Sequence, residues 1–226
     1  MIKGRRSKRK ENVLNEHKII RIFCEGQNNV TEILYFSNFK KYASMVSIEP
    51  VKSGYTDAKH IVTEAIARVN NDAKIDLQNG DSVWCVFDRN RNDDKSLQEA
   101  FNTAQENGIQ ICFSNPCFEF WFLIHYINYT TTLNDCEFTI QKLKNYIQDY
   151  NKSKDCFREI SSNLTDAIKR AKKLENFHDK EGVKKIREDS NPSTQVYKLV
   201  EEIKATVNEV EGIDIFEEIN KYCRVL

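Results

Sequence analysis

Two acidic side chains stand where short apolar runs of this sequence end. Glu25 follows the run at 19–23 almost directly and precedes Gly26, and Asp88 follows the run at 83–87. Both runs are rich in β-branched or aromatic residues, a composition that predicts buried strands. Ligands of open α/β sheets bind at the carboxyl ends of the strands, so both carboxylates are candidate site residues.

A third carboxylate, Glu119, belongs to the apolar segment 116–127. This segment follows another predicted strand at 109–113, and it predicts a buried helix that Ser114 or Asn115 could cap. Two interpretations of Glu119 stay open. An acid in a first helical turn complements the helix dipole, but it could also be a functional carboxylate directed at the strand ends.

Carboxylate oxygens that converge at one sheet edge favour a hard cation, Mg²⁺ or Mn²⁺. We expect the carboxylates of Glu25 and Asp88 to lie about 4–6 Å apart if they share an ion. Magnesium in proteins commonly contacts phosphate oxygens as well, which favours a phosphodiester or phosphate ester substrate. The sequence contains no GxxxxGK[ST], GxGxxG, GxSxG or HExxH motif, which argues against the corresponding nucleotide, hydrolase and zinc-protease sites.

The elements that must position these residues alternate along the first half of the chain. Strand candidates at 19–23, 45–51, 83–87 and 109–113 are each followed by a helical pattern. This alternation predicts an α/β fold with a mainly parallel sheet flanked by helices.

The second half of the chain has a different pattern. Predicted helices cover about 137–150, 162–177, 193–211 and 215–222, and the sequence Asn191-Pro192-Ser193-Thr194 is typical of a helix start. We therefore expect a basic flexible arm at 1–17, an α/β domain at 18–130 and a helical C-terminal region at 131–226 that packs on the domain.

Charge is distributed unevenly in a chain whose net charge is zero. The 226 residues contain 34 basic and 34 acidic side chains, so a nucleic-acid site requires a local excess of cations. The first ten residues hold six cations and no acid, which fits either a solvated tail or a phosphate-binding arm. No apolar run reaches 18 residues and no leader sequence is evident, so we expect a cytoplasmic protein without a membrane span.

Cysteine usage favours packed thiols. The seven cysteines lie mostly inside apolar runs, and none belongs to a CxxC pair. We expect them to be reduced and not to form a zinc site.

Five segments together resemble the RloB family, which is found in bacterial defence and restriction-modification loci. They are the basic N-terminus, IRIFCEGQNNVTE at 20–32, VWCVFD at 83–88, SNPCFEFWFLIH at 114–125 and NPST at 191–194, with YNK at 150–152 as a weaker addition. The resemblance covers nearly the whole chain, and SNPCFE is its most specific part.

The RloB family in turn resembles Toprim-type domains, the metal-binding module of topoisomerases, primases and overcoming-lysogenisation-defect nucleases. The resemblance implies a Toprim-like sheet in which Glu25-Gly26 matches the Glu-Gly of the module. Asp88-Arg89-Asn90 matches its Asp-x-Asp only in part, because Asn90 stands where an Asp is usual. Glu25, Asp88 and Asn90 are then the implied metal ligands, and the missing charge at Asn90 should weaken the binding of a cation.

For function, the resemblance implies a metal-dependent nuclease effector of anti-phage defence by abortive infection, acting on RNA rather than DNA. Its expected partners are nucleic acid, an AAA-type ATPase and further copies of the chain. The alternative is a non-catalytic Toprim-like interaction module that serves the ATPase. The implied catalytic residues are Glu25, Asp88 and Glu119, and the implied substrate-binding residues are Arg5, Arg6, Arg9, Asn115 and Lys152.

Overall fold

A single mixed sheet organises the chain in a computed structural model that describes residues 17–26, 31–89, 92–183 and 186–224. Its strands are β1 (Lys18–Cys24), β2 (Val46–Lys52), β3 (Ser82–Asp88), β4 (Gln110–Asn115) and β5 (Ser193–Thr194). They lie in the order β2-β1-β3-β4-β5, with β1 to β4 parallel and β5 antiparallel to β4. The predicted mainly parallel sheet is therefore confirmed.

Helices connect and cover the strands. They are α1 (Thr31–Ser37), α2 (Ala58–Asn70), α3 (Asp94–Glu106), α4 (Glu119–Leu123), α5 (Cys136–Leu143), α6 (Phe157–Ser161), α7 (Leu164–Lys180), α8 (Val196–Glu211) and α9 (Ile215–Arg224). Short 3-10 helices occupy Asn38–Tyr42, Leu77–Asn79 and Glu188–Ser190. Acidic caps begin α2 and α3: Asp57 accepts a hydrogen bond from the backbone N–H of His60, and Asp93 accepts one from that of Ser96.

The sheet has a hydrophobic cluster on each face. On one face, α2 and α3 pack against alternate residues of β3 such as Val83 and Phe87. On the other face, α1 and the helices from α4 onward form one larger cluster that includes Trp84 and Val86. The C-terminal helices thus pack on one face of the sheet, and together with α2 and α3 on the other they stabilise the fold by removing both faces from water.

The start of α8 differs from its prediction. The pattern of the Asn191–Thr194 segment predicts a helix start, but Ser193 and Thr194 form β5 and the helix begins at Val196. The Thr194 hydroxyl lies 3.0 Å from the Ser114 hydroxyl of β4. The side chain of Asn191 accepts a hydrogen bond from the Leu133 N–H and donates one to the Leu133 carbonyl. These distant partners hold the segment extended, and they are not visible in a local pattern.

The apolar segment 116–127 is also shorter as a helix than expected. β4 continues through Asn115, so Ser114 and Asn115 are strand residues and not helix caps. The helix α4 covers only Glu119–Leu123, and all five of its residues are buried, as the predicted burial requires. No helix in the described part of the chain is long and apolar enough to cross a membrane.

Glu211, the last residue of α8, accepts hydrogen bonds from backbone groups at the start of β2. Glu211 Oε1 accepts hydrogen bonds from the backbone N–H groups of Ser44 (2.9 Å), Met45 (2.8 Å) and Val46 (3.1 Å). Glu211 Oε2 accepts a further bond of 2.8 Å from the Ser44 hydroxyl. A single carboxylate therefore satisfies several backbone donors at the start of the edge strand.

Candidate acidic site

Parallel pairing of β1 with β3 places Glu25 beside Asp88. Cys24 is in register with Val86, and the Glu25 backbone N–H continues the ladder to the Val86 carbonyl at 3.0 Å. Glu25 Oε2 then accepts a 3.0 Å hydrogen bond from the backbone N–H of Asp88. Gly26 has φ of 97°, a left-handed conformation that glycine adopts without steric cost, so the chain can turn away directly after the carboxylate. The two predicted residues share one sheet edge.

Glu119 lies at the first residue of α4 and is only 1% exposed. Its Oε1 accepts a 2.8 Å hydrogen bond from the Tyr150 hydroxyl and lies 3.5 Å from Lys152 Nζ. Its Oε2 lies 3.4 Å from Cys136 Sγ. The carboxylate therefore joins α4 to the start of α5 and to the segment that follows α5.

Glu32 is an acidic neighbour that the sequence pattern does not single out. It is the second residue of α1 and is 7% exposed, and its Oε2 is buried without a hydrogen-bond partner among the described residues. The sequence feature that could have indicated Glu32 is its place as an acid in the first turn of the helix that follows β1 and Glu25. We refer to Glu25, Glu32, Asp88 and Glu119, together with Lys152, as the acidic site.

The carboxylates of the acidic site influence one another electrostatically. Burial, followed by the charges of Glu119 and Glu25, raises the pKa of Glu32 to about 8. Burial, followed by the charges of Glu32, Glu25 and Glu119, raises the pKa of Asp88 well above its usual range. Burial alone would lower the pKa of Lys152, but the surrounding carboxylates outweigh it and raise that pKa. Among the residues that the structure describes, the carboxylates of the acidic site thus outnumber its cations.

The donor set of the acidic site fits a hard divalent cation. Ionised buried carboxylates need compensating charge, and one oxygen of Glu32, which has no hydrogen-bond partner in the described part of the chain, offers a lone pair. Within the described ranges, one group of three possible ligand side chains has its ligand atoms within 4.8 Å of one another, and it is Cys117, Glu119 and Cys136. Glu25, Glu32 and Asp88 do not form such a group of three, and an Mg²⁺ ion among them would keep several of its waters.

The other predicted site residues have different outcomes. Asn115 is buried, and its side-chain N–H₂ donates to the carbonyls of Arg187 (2.9 Å) and Glu188 (3.3 Å), so its substrate role stays a prediction. Lys152 belongs to the acidic site. Its side chain is positively charged, whereas the carboxylates that a cation would meet there are negatively charged. The predictions for Asn90, Arg5, Arg6 and Arg9 lie outside the described residues.

The expectation that all the cysteines are reduced is wrong for two cysteines next to Glu119. Cys117 and Cys136 form a disulfide, with Cα atoms 5.5 Å apart, whereas Cys24, Cys85, Cys112, Cys156 and Cys223 are free. The pair arises because the start of α5 packs against the turn before α4. With a sequence separation of 19 between the two cysteines, no local spacing rule could indicate the bond.

The comparison with family models gives one match. The model for RloB-like proteins matches residues 20–203. The chain belongs to the RloB-like family. The RloB-like match runs from β1 to α8 and contains every residue of the acidic site, while the basic arm precedes it. Comparisons with curated proteins and with solved structures give no significant match.

Proposed function

We propose that this RloB-like protein is a metal-dependent nuclease effector of anti-phage defence by abortive infection, acting on RNA in preference to DNA. The observation that carries the proposal is a buried oxygen of Glu32 that has no hydrogen-bond partner among the described residues and lies in the field of three further carboxylates. Ionised carboxylates in such an arrangement are unfavourable, so they either keep protons or need positive charge beside them. Lys152 brings in one charge, and a divalent cation would bring in the remainder.

Three carboxylates are the natural ligands for that cation. Glu25, Glu32 and Asp88 would hold Mg²⁺ or Mn²⁺, and Glu119, which accepts from Tyr150 and lies beside Lys152, would act from the side of α4. When bound, the ion would polarise a phosphodiester and lower the pKa of a water molecule. The choice of RNA over DNA rests on the family resemblance alone.

Lys152 supplies the positive charge that a phosphate group needs. Its side chain is 35% exposed, so it can reach solvent while Nζ stays 3.5 Å from Glu119 Oε1. Its backbone carbonyl accepts a 3.0 Å hydrogen bond from the Thr31 hydroxyl, which fixes the segment beside α1. Lys152 would therefore orient a phosphate oxygen, and Glu119 would position Lys152.

Calorimetric titration of Mn²⁺ and Mg²⁺ tests the metal site directly. We expect Glu32→Gln and Asp88→Asn each to weaken binding by about tenfold or more, because each removes one anionic ligand. Glu99→Gln is the matched control, since Glu99 pairs with Lys59 on the exposed surface of α3. Circular dichroism would verify that the variants fold, and labelled RNA and DNA would report cleavage.

Equal metal affinity of Glu32→Gln, Asp88→Asn and the control Glu99→Gln would contradict the proposed ligands. If the protein binds no divalent cation at the acidic site and cleaves neither nucleic acid, the second candidate gains support. That candidate is a non-catalytic interaction module that serves an AAA-type ATPase. The internal contacts of Glu119 favour it, because they give that carboxylate a structural role that needs no substrate.

A further inference from the structure

We propose that Cys117 and Cys136 form a redox-active pair, and that a dithiol reductant opens it by thiol–disulfide exchange at Cys136. The two sulfurs differ in access. Cys117 is fully buried, whereas Cys136, the first residue of α5, is partly exposed. Cys136 also lines an open cleft of about 480 Å³ together with Arg89, Asn134 and Asn191. A reagent in solution can therefore reach only one sulfur of the pair.

The exchange balances with a dithiol as the co-reactant. A thiolate of the reductant attacks Cys136 Sγ, the Cys117–Cys136 bond breaks, and Cys117 leaves as a thiolate that takes up a proton. The second thiol of the reductant then attacks the reductant sulfur of the mixed disulfide and releases Cys136 as a thiol. In total the reductant loses two electrons and two protons and becomes a disulfide, while the protein gains two thiols.

The surrounding backbone can keep its place when the bond opens. The side chain of Asn191 accepts a 2.9 Å hydrogen bond from the Leu133 N–H and donates a 2.7 Å bond to the Leu133 carbonyl. Asp135 caps α5 by accepting a 2.7 Å bond from the Phe138 N–H. Neither contact involves a sulfur atom, so reduction should be reversible without unfolding of this segment.

Reduction would also change the environment of Glu119. Cys136 Sγ lies 3.4 Å from Glu119 Oε2, and this contact can be a hydrogen bond only when Cys136 carries a proton. A disulfide sulfur has no proton to donate, whereas a thiol has one. Because Glu119 also contacts Lys152, the redox state of the pair would regulate the acidic site, a consequence that rests on the proposed function.

Thiol mapping of the full chain tests the pair without reference to any enzyme activity. The protein is equilibrated in mixtures of reduced and oxidised dithiothreitol, quenched with acid, alkylated and analysed by peptide mass spectrometry. We expect Cys117 and Cys136 to become alkylated together as a two-electron couple. Cys223, which is partly exposed and free, is the reference thiol and should react equally in every mixture.

Single variants identify the sulfur that undergoes exchange. With oxidised glutathione as the probe, Cys117→Ser should form a mixed disulfide at Cys136, and Cys136→Ser should form almost none at Cys117. The proposal is overturned if Cys117 captures the probe preferentially. It is also overturned if the reduced wild-type pair does not reoxidise, or if it instead retains one Zn²⁺ per chain.

Metal titration in the two redox states tests the coupling to the acidic site. We expect Mn²⁺ affinity of the wild type to differ at least about fivefold between states, the lower range of ordinary coupling between sites. The Cys117→Ser/Cys136→Ser double variant should show no difference. Equal wild-type affinities would overturn the coupling, whereas absence of Mn²⁺ binding in both states would count against the proposed function and leave the thiol mapping valid.

Discussion

Glu32 is the residue whose ionisation is most clearly set by its surroundings. Its raised pKa means that the folded protein holds a proton that the unfolded chain would release near the ordinary value of 4.5. The resulting stabilisation is fully present below about pH 4.5 and is lost as the pH rises through about 8. Asp88 has a pKa raised for similar reasons and acts in the same direction.

We therefore predict that the metal-free protein becomes less stable as the pH rises from about 4.5 to about 8. Thermal unfolding followed by fluorescence in the presence of EDTA would measure the change. For a chain of this size each kcal/mol corresponds to about 2–4 °C in melting temperature. Glu32→Gln should flatten the dependence, and Mn²⁺ should do so in the wild type by favouring the ionised carboxylates. Parallel curves for variant and wild type would contradict the assignment.

The residues of the acidic site differ in how visible they are in the sequence. Glu25 and Asp88 could be predicted because a strand end is recognisable from the apolar run before it. Glu32 could not, since its importance depends on how α1 returns to the strand ends after the chain leaves β1. Tyr150 was equally invisible as a partner of Glu119, because 31 residues separate the two and only tertiary packing brings them together.

At the scale of elements, the parallel strands were predictable and the antiparallel one was not. The strands β1, β3 and β4 contain apolar runs, β2 alternates buried Val46 and Ile48 with more exposed residues, and the intervening helices favour parallel connections. The strand β5 has only two residues, and its position depends on side-chain contacts such as that of Thr194 with Ser114. Hydrophobic periodicity cannot reveal a strand of two residues, because a period needs several residues to repeat.

The junction between α8 and β2 gives a prediction at this scale. Glu211→Ala removes the acceptor of several backbone N–H groups, so we expect a decrease of about 1–3 kcal/mol in unfolding free energy. Amide exchange at Met45 and Val46 should accelerate, which hydrogen-exchange mass spectrometry can detect. Glu209→Ala, an exposed change on the same helix, is the control. Identical melting and exchange in the two variants would show that water replaces the carboxylate at no cost.

The whole molecule has no excess of cations, so the basic arm should dominate any electrostatic attraction to nucleic acid. We predict that deletion of residues 2–10 leaves the melting temperature unchanged and weakens RNA binding. The magnitude of the slope of log affinity against log salt should fall by roughly 0.7 for each single-strand phosphate that the arm no longer neutralises. Fluorescence anisotropy at several salt concentrations measures both effects.

Substitutions separate the charge of the arm from its length. A variant with Arg5, Arg6 and Arg9 changed to Gln should reproduce much of the effect of the deletion. Asn12→Ala with Asn15→Ala should behave as the wild type, since neither change alters charge. If the deletion leaves both affinity and salt slope intact, the arm is a solvated tail and the folded body must supply the contacts.

Because α8 packs on strands that precede it by a long stretch of chain, the fold can be completed only late in translation. Leu199, Val200 and Ile203 belong to the same hydrophobic cluster as Trp84 and Val86. Roughly 100 residues separate the end of β4 from the end of α8, and at roughly 5–20 residues per second their synthesis takes about 5–20 s. Until α8 is made, the part of the apolar face that α8 covers stays exposed on the nascent chain, so we expect this stage of synthesis to be the one most prone to aggregation.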